Sequence, residues 1–396
     1  MRFRDIAGEN GMFKDGDWIE KKDQDDNGNV RLIQLADIGA GYFKDKSDKR
    51  ITETKAIELN CTYLKKGDIL ITRLGEPLCK ACIFPYEGLY ITAVDIAILR
   101  IGLQEIDSKY LVYLINSPWF KDQVKQYESG TTRKRISRKN LDCIDMTFPP
   151  IEEQQRIVTH IEELFSELDS AVETLQKAKQ QLEVYRQAVL KEAFDGLNES
   201  VTMDTLAVMI DPQPSHRTPA VYDGGIPYIG IGDIDYSCDR IKFSEARKVS
   251  PDLLEEHRQR YRIEKGDFIM GKIGTIGKPY RLPLPQDYLL SANVILIKPD
   301  CNIIIPDFLY WQFSSWWITS QLIKGSTATS QPAFGIKKAR LLNIKICGIE
   351  KQRQIVNQIY SKLSICDSIE KTINEALQQA EAMRQSILKK AFEGRL

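Results

Sequence analysis

Apolar residues recur at every seventh position through two long stretches of the chain. Ile161, Leu168, Leu175, Leu182 and Val189 form one series, and Ile359, Cys366, Ile373, Ala380 and Ile387 the other. Three residues after these come Leu164, Ala171, Ala178 and Tyr185 in the first stretch, and Ile369, Ala376 and Met383 in the second. Heptads in phase without Gly or Pro predict two coiled-coil helices. Pro149-Pro150 before the first, and Gly196 and Gly394 after each, mark where they start and stop. From Glu152 to Phe194 such a helix would run ~60 Å at ~1.5 Å per residue. The alanines favour close approach, and the obvious partner of one helix is its own duplicate. A coiled coil between two copies of the chain is the alternative.

The polar and apolar pattern ahead of each helix is also duplicated. Tyr63–Thr72 and Leu89–Ile101 are β-branched, apolar and bounded by Gly and Pro, so they predict strands. Ser108–Ile115 has helical spacing, with Asn116-Ser117-Pro118 as a stop. Tyr261–Met270, Tyr288–Lys298 and Pro306–Phe313 repeat this order. Glu152-x-Gln154-x-x-Ile157 recurs as Glu350-x-Gln352-x-x-Ile355, a 198-residue offset in a chain of 396. A repeat of that length is a duplicated domain, since solenoid units run to ~20–50 residues. The expected fold is α/β (mixed α+β): globular segments 1–150 and 198–348, each followed by a long helix, 151–197 and 349–396. The helices would form an antiparallel intramolecular coiled coil, with the globular segments at its opposite ends about a pseudo-twofold axis.

Composition narrows the functional classes. Lys plus Arg and Asp plus Glu both total 55, so the net charge is zero, and nucleic-acid binding would have to rest on local clusters. No apolar run approaches the ~18–20 residues of a membrane span, and Met1-Arg2-Phe3-Arg4-Asp5 lacks the apolar core expected of a secretion signal. The eight cysteines stand singly apart from Cys79-x-x-Cys82, which has no second Cys or His pair nearby. Reduced thiols, a cytoplasmic location and no metal site are expected.

Several enzyme signatures come close and fail. Gly271–Lys278 resembles a phosphate loop but has five residues between its outer glycines where four are needed, and Pro279 follows its Lys. Asp211-Pro212-Gln213-Pro214 lacks the second consecutive proline and the aromatic of an amino-methyltransferase tetrapeptide. His160, His216 and His257 are isolated. No catalytic constellation emerges.

Basic and polar loops remain, at matching points of the two halves. Arg73 and Lys80 follow the first strand, echoed by Lys272 and Lys278. After the short helix come Thr131, Thr132, Arg133, Lys134, Arg135, Arg138 and Lys139 without an acid; the counterpart offers Ser326, Thr327, Gln331, Lys337, Lys338 and Arg340. His216 and Arg217 add a further basic pair. Such mixtures suit phosphate and base-edge contacts, and their recurrence favours function over a merely solvated charge run.

These residues resemble one family over essentially the whole chain: the DNA-specificity subunits of type I restriction-modification enzymes. The likeness rests on Pro149-Pro150-Ile151-Glu152-Glu153-Gln154 and Leu190-x-x-Ala193-Phe194-x-Gly196 with their second copies, and on Lys66-Gly67-Asp68 and Lys265-Gly266-Asp267. Gly224-Gly225-Ile226-Pro227-Tyr228-Ile229 is similar to the opening block of a target-recognition domain. The first half departs from that block and looks like another subtype. The resemblance implies a non-catalytic subunit whose two recognition domains each read half of an interrupted double-stranded DNA site. The helix pair would set the gap and dock two adenine-methyltransferase subunits, with restriction subunits joining the full complex. S-adenosylmethionine, Mg2+ and ATP would belong to those partners. A coiled-coil adaptor binding only proteins is the rival reading; a fused restriction-methyltransferase is a weaker one, for lack of methyltransferase motifs.

Overall fold

A computed structural model describes residues 1–215, 217–272, 276–325 and 333–395. The chain divides into two compact units: Met1–Leu175 with Asn374–Leu396, and Gln176–Ile373.

Unit 1 is centred on an antiparallel sheet of β1 (Met12–Asp15), β2 (Ile69–Thr72), β3 (Ala81–Ile83) and β4 (Ile96–Arg100), in the order β1-β4-β2-β3. Unit 2 repeats it with β5 (Ala207–Ile210), β6 (Phe268–Gly271), β7 (Pro279–Arg281) and β8 (Val294–Pro299), in the equivalent order β5-β8-β6-β7. A small second sheet in each unit runs one strand parallel to a later one: Val30–Ile33 beside Tyr90–Thr92, and Ile226–Ile229 beside Leu289–Leu290.

The expected strands are therefore shorter and more divided than the apolar runs suggest. Leu89–Ile101 is two strands in two sheets, broken by a turn in which Ile96 N donates to Ala93 O. Tyr288–Lys298 breaks likewise at Ser291–Asn293. Tyr63–Asp68 and Tyr261–Asp267 lie outside the strands, because Lys-Gly-Asp makes a turn. Gly67 and Gly266 sit at φ +94 and +100, where a Cβ is disfavoured. Asp68 and Asp267 accept from Lys65 N and Glu264 N, both at 2.8 Å, and also pair with a strand cation, Arg100 at 2.7 Å and Lys298 at 2.6 Å. The motif is a turn clamp.

Helix α1 (Ser108–Asn116) forms as expected, but Ser117-Pro118 restarts the chain at once into α2 (Pro118–Lys125), with Ser117 as N-cap. Helix α3 (Ile151–Phe194) carries the chain from one unit into the next; α4 (Pro306–Phe313) and α5 (Trp316–Gly325) match α1 and α2, and α6 (Ile349–Phe392) follows. No helix among the described residues is long and apolar enough to cross a membrane. Cys79 and Cys82 lie in different core clusters, and burial pushes their thiols up to about 11 and about 12.

The two long helices pair within the chain and run antiparallel. In unit 1, Ile161 packs on Leu388 and Ala391, and Arg384 pairs with Asp169 and lies over the Phe165 ring. In unit 2, Arg186 reaches Asp367 and Glu370 at 2.7 and 3.0 Å, and Lys362 reaches Glu192 at 2.8 Å. Ile161, Leu168, Leu182, Val189, Ile359, Cys366, Ile373 and Ala380 are buried, with Leu175 and Ile387 half-buried.

The second seam differs from expectation by one residue. It lies four positions on: Phe165, Val172, Lys179, Arg186 and Ala193 on α3, and Leu363, Glu370, Leu377, Arg384 and Ala391 on α6, all at least half-buried. Ala171, Tyr185, Ile369 and Met383, expected inside, are exposed, and Leu164, Ala178 and Ala376 are half-buried. Lys179, Arg186, Glu370 and Arg384 hide the true seam in the sequence, because ion pairing lets charged side chains occupy it.

Candidate nucleic-acid interface

The duplicated helix motifs fix each sheet to the long helices. Gln154 is fully buried; its Oε1 accepts from Asp107 N at 3.0 Å, and its Nε2 donates to Glu105 O and Pro149 O at 2.8 and 2.9 Å. Gln352 does the same with Ile305 N at 2.8 Å, Cys347 O at 2.8 Å and Ile303 O at 3.3 Å. Each glutamine ties a helix start to the loop that launches α1 or α4. The motifs that close the helices work in the opposite direction. Phe392 packs edge-on against Tyr110 of α1, and Phe194 against Phe308 of α4, at 5.2 and 5.4 Å. Each main sheet is thus held by the start of one long helix and the end of the other. The sequence signal for these glutamines was their recurrence alone.

The basic loops of unit 1, and the described part of those of unit 2, gather along one edge of the main sheet, where strand ends meet. In unit 1 the segments after β1 and β2 and before β4 meet there. The loop 129–135 is strapped to the turn after β2: Ser129 and Arg135 exchange two backbone bonds of 2.9 and 2.8 Å, and Gly75 N donates to Lys134 O at 3.0 Å. The structure therefore joins the Arg73–Lys80 turn and the Thr131–Arg135 loop into one surface.

Not every cation on that edge is available. Arg73, its side chain only 13% exposed, pairs with Asp15 at 3.1 Å and donates to Val94 O. Arg138 also pairs with Asp15, at 3.2 Å, and donates to Phe13 O. Unit 2 repeats this clamp. Lys272, also 13% exposed, pairs with Asp211 at 2.8 Å, and Arg340 donates to Met209 O. The recurrence that favoured a DNA role for Arg73, Arg138 and Lys272 is thus accounted for by a repeated internal clamp that holds the edge in shape. Lys134 is engaged as well, with Glu128 at 2.9 Å and Glu76 at 3.9 Å; the Glu128 hydrogen bond raises its pKa.

Among the described residues, Arg133, Arg135 and Lys139 are exposed without an ion pair, beside exposed Thr131 and Thr132 and half-buried Lys80. Unit 2 offers exposed Arg217 and Lys337, together with Lys278, whose ammonium lies 4.1 Å over the Tyr236 ring. Lys338 donates to Gly325 O at 2.8 Å. His216, Ser326, Thr327 and Gln331 lie outside the described residues.

Comparison with known proteins identifies this architecture. The family model of the type I restriction modification DNA specificity domain matches residues 8–184 and again 221–379. The chain belongs to that family. The EcoBI specificity subunit of Escherichia coli is 26% identical over 411 residues, covering 97% of this chain and 82% of that subunit. The StySPI specificity subunit of Salmonella potsdam is 23% identical over 312 residues, covering 74% of this chain and 66% of that one. A chain solved in work on assembly of a type I R-M system shares the fold at a TM-score of 0.71, with 16% identity, over 100% of this chain and 97% of that chain. In this chain the family domain occurs twice; the first match spans the whole clamp of unit 1, whereas in unit 2 the clamp's Met209 and Asp211 lie just before the second match.

Proposed function

We propose that the chain is the non-catalytic specificity subunit of a type I restriction-modification complex, each unit reading one half of an interrupted duplex site. The observation that carries this reading is the sheet edge. In each unit a rigid clamp leaves a few free cations, Arg133, Arg135 and Lys139 in one and Arg217 and Lys337 in the other. In unit 1 the hydroxyls of Thr131 and Thr132 stand beside them. Free cations attract phosphate, and neighbouring polar side chains can read base edges. The two edges differ in sequence, as the reading of two different half-sites requires.

The helix pair sets the gap between half-sites and docks two adenine-methyltransferase subunits. Exposed apolar residues support the docking role: Met383 with Ala171 in unit 1, and Tyr185 with Ile369 in unit 2, each series at a constant heptad position beside the seam. S-adenosylmethionine, Mg2+ and ATP belong to the partner subunits, and the complex works in the cytoplasm. The test is to co-express the chain with its methyltransferase subunit, measure gel shifts on random DNA, and map methylated adenines. A two-part motif with a fixed gap is expected. Binding without sequence preference, with the partner present, would refute the reading.

A further inference from the structure

The exposed aromatic residues of unit 1 fall in unlike settings, and one of them sits on the reading edge. Tyr42 lies at the tip of a hairpin closed by an Ile38–Phe43 bridge, with Gly39 N donating to Tyr42 O at 2.9 Å. The hairpin is fastened to the sheet by Gly41 N, which donates to Ala81 O at 2.9 Å, next to Lys80. The Tyr42 ring rests on Gly39, where a Cβ would come within 2.9 Å of it. Even so, the residue is 59% exposed, and the Lys44 ammonium lies 5.8 Å from the ring centroid. A large apolar ring left in water but fixed from below, beside cations, is shaped to meet something apolar on an anionic ligand. In unit 2 the half-buried Tyr236 differs: it donates its hydroxyl to Lys278 O at 3.1 Å beneath that lysine's ammonium.

We propose that Tyr42 is a specificity-determining residue of unit 1, its ring meeting the C5-methyl group of a thymine in the major groove. The proposal rests on the DNA-reading function given above. The thymine methyl is the apolar feature of the major groove, and side chains read it by apolar contact. Trp18, at 70% exposure, is the natural comparison. Its indole donates to Glu20 beside the Glu20–Lys22 pair, and that carboxylate would meet phosphate unfavourably.

The experiment uses the chain assembled with its modification subunits and a duplex carrying the mapped site. Each thymine of the half-site read by unit 1 is replaced in turn by deoxyuridine, which removes only the methyl. One replacement should weaken binding about fourfold, the worth of one buried methyl-sized group. Tyr42→Ala should lose the same factor and become insensitive to that replacement. Gly39→Ala, whose Cβ would meet the Tyr42 carbonyl at 2.7 Å and the ring at 2.9 Å and so displaces both, should behave like Tyr42→Ala. Tyr42→Phe and Trp18→Ala should keep the parental sensitivity, and no variant should alter binding to the other half-site. The proposal is overturned if no replacement matters, if Tyr42→Ala keeps full sensitivity, or if Trp18→Ala loses as much. It is also overturned if Tyr42→Ala weakens assembly with the modification subunits while preference stays intact. A parental complex with no sequence preference would instead remove the DNA-reading function itself.

Discussion

Gln154→Leu nearly preserves side-chain volume but removes an acceptor and two donors from the point where the first long helix meets its sheet. Three hydrogen bonds disappear, to Asp107 N, Glu105 O and Pro149 O, the first from the N-cap residue of α1. A made bond is worth ~1 kcal/mol net, and a buried group left unpaired costs ~1–3 kcal/mol. These three backbone groups are only partly buried, so the sum comes to ~3 kcal/mol. For a domain of ~150–250 residues each kcal/mol lowers Tm by ~2–4 °C, so the transition of unit 1 should fall by roughly 6–12 °C. Glu152→Gln, exposed in the same motif, should change stability by less than ~0.5 kcal/mol. Hydrogen exchange locates the effect: amides of residues 107–111 and 153–158 should lose protection while those of unit 2 keep theirs. A Gln154→Leu variant melting within ~2 °C of the parent, with unchanged exchange, would refute the docking role of the motif.

Replacing Arg133, Arg135 and Lys139 together with Ala should flatten the salt dependence of DNA binding by up to ~0.9 for each phosphate no longer neutralised, whereas Lys134→Ala should leave the slope alone; equal slopes for both variants would contradict the assignment of free and engaged cations. Lys272→Met should destabilise unit 2 by ~1–3 kcal/mol in urea titrations without altering that slope, since it removes the largely buried Lys272–Asp211 ion pair. Ile373→Glu should disrupt assembly more than Leu175→Glu, because only the first position is fully buried; co-purification with the modification subunits measures this. Burial holds Lys121 at about 8, its ammonium donating to Leu78 O and Cys79 O. Above that value the folded amine is neutral while the unfolded one stays charged to ~10.4, so the unfolded chain binds more protons and the burial penalty fades as pH rises through this window. Lys121→Met should abolish that rise in urea titrations from pH 8 to 10.

The duplication, the helix spans and one seam were plain in the sequence, because little besides a helical seam produces a strict seven-residue apolar repeat. The second seam stayed hidden. Tyr185, Ile369 and Met383 look like core residues by polarity alone, while Arg186 and Glu370 look like surface residues until their ion pair is seen. Strand limits were overrun wherever an apolar run crossed a turn, as at Ala93–Asp95, since burial in adjoining sheets keeps both sides apolar. At the proposed reading edge the sequence singles out the basic loops but not the pairing of each cation. Arg73 and Arg133 are chemically alike, and what separates them is Asp15, about sixty residues from the first in sequence. Tyr42 carried no signal, because its significance lies in the glycine beneath its ring.

The division of the chain into units has a consequence for the order of events at the ribosome. Residues 176–373 form one uninterrupted unit, whereas unit 1 is completed by residues 374–396. Its earlier-made sheet must therefore wait while some two hundred residues of another unit emerge and settle before Leu388, Ala391 and Phe392 can close over Ile161 and Tyr110. Loop-closure entropy grows only with the logarithm of length, so this interval costs little in equilibrium stability. It is a delay in time: of the two units, the one begun earlier is the one finished later.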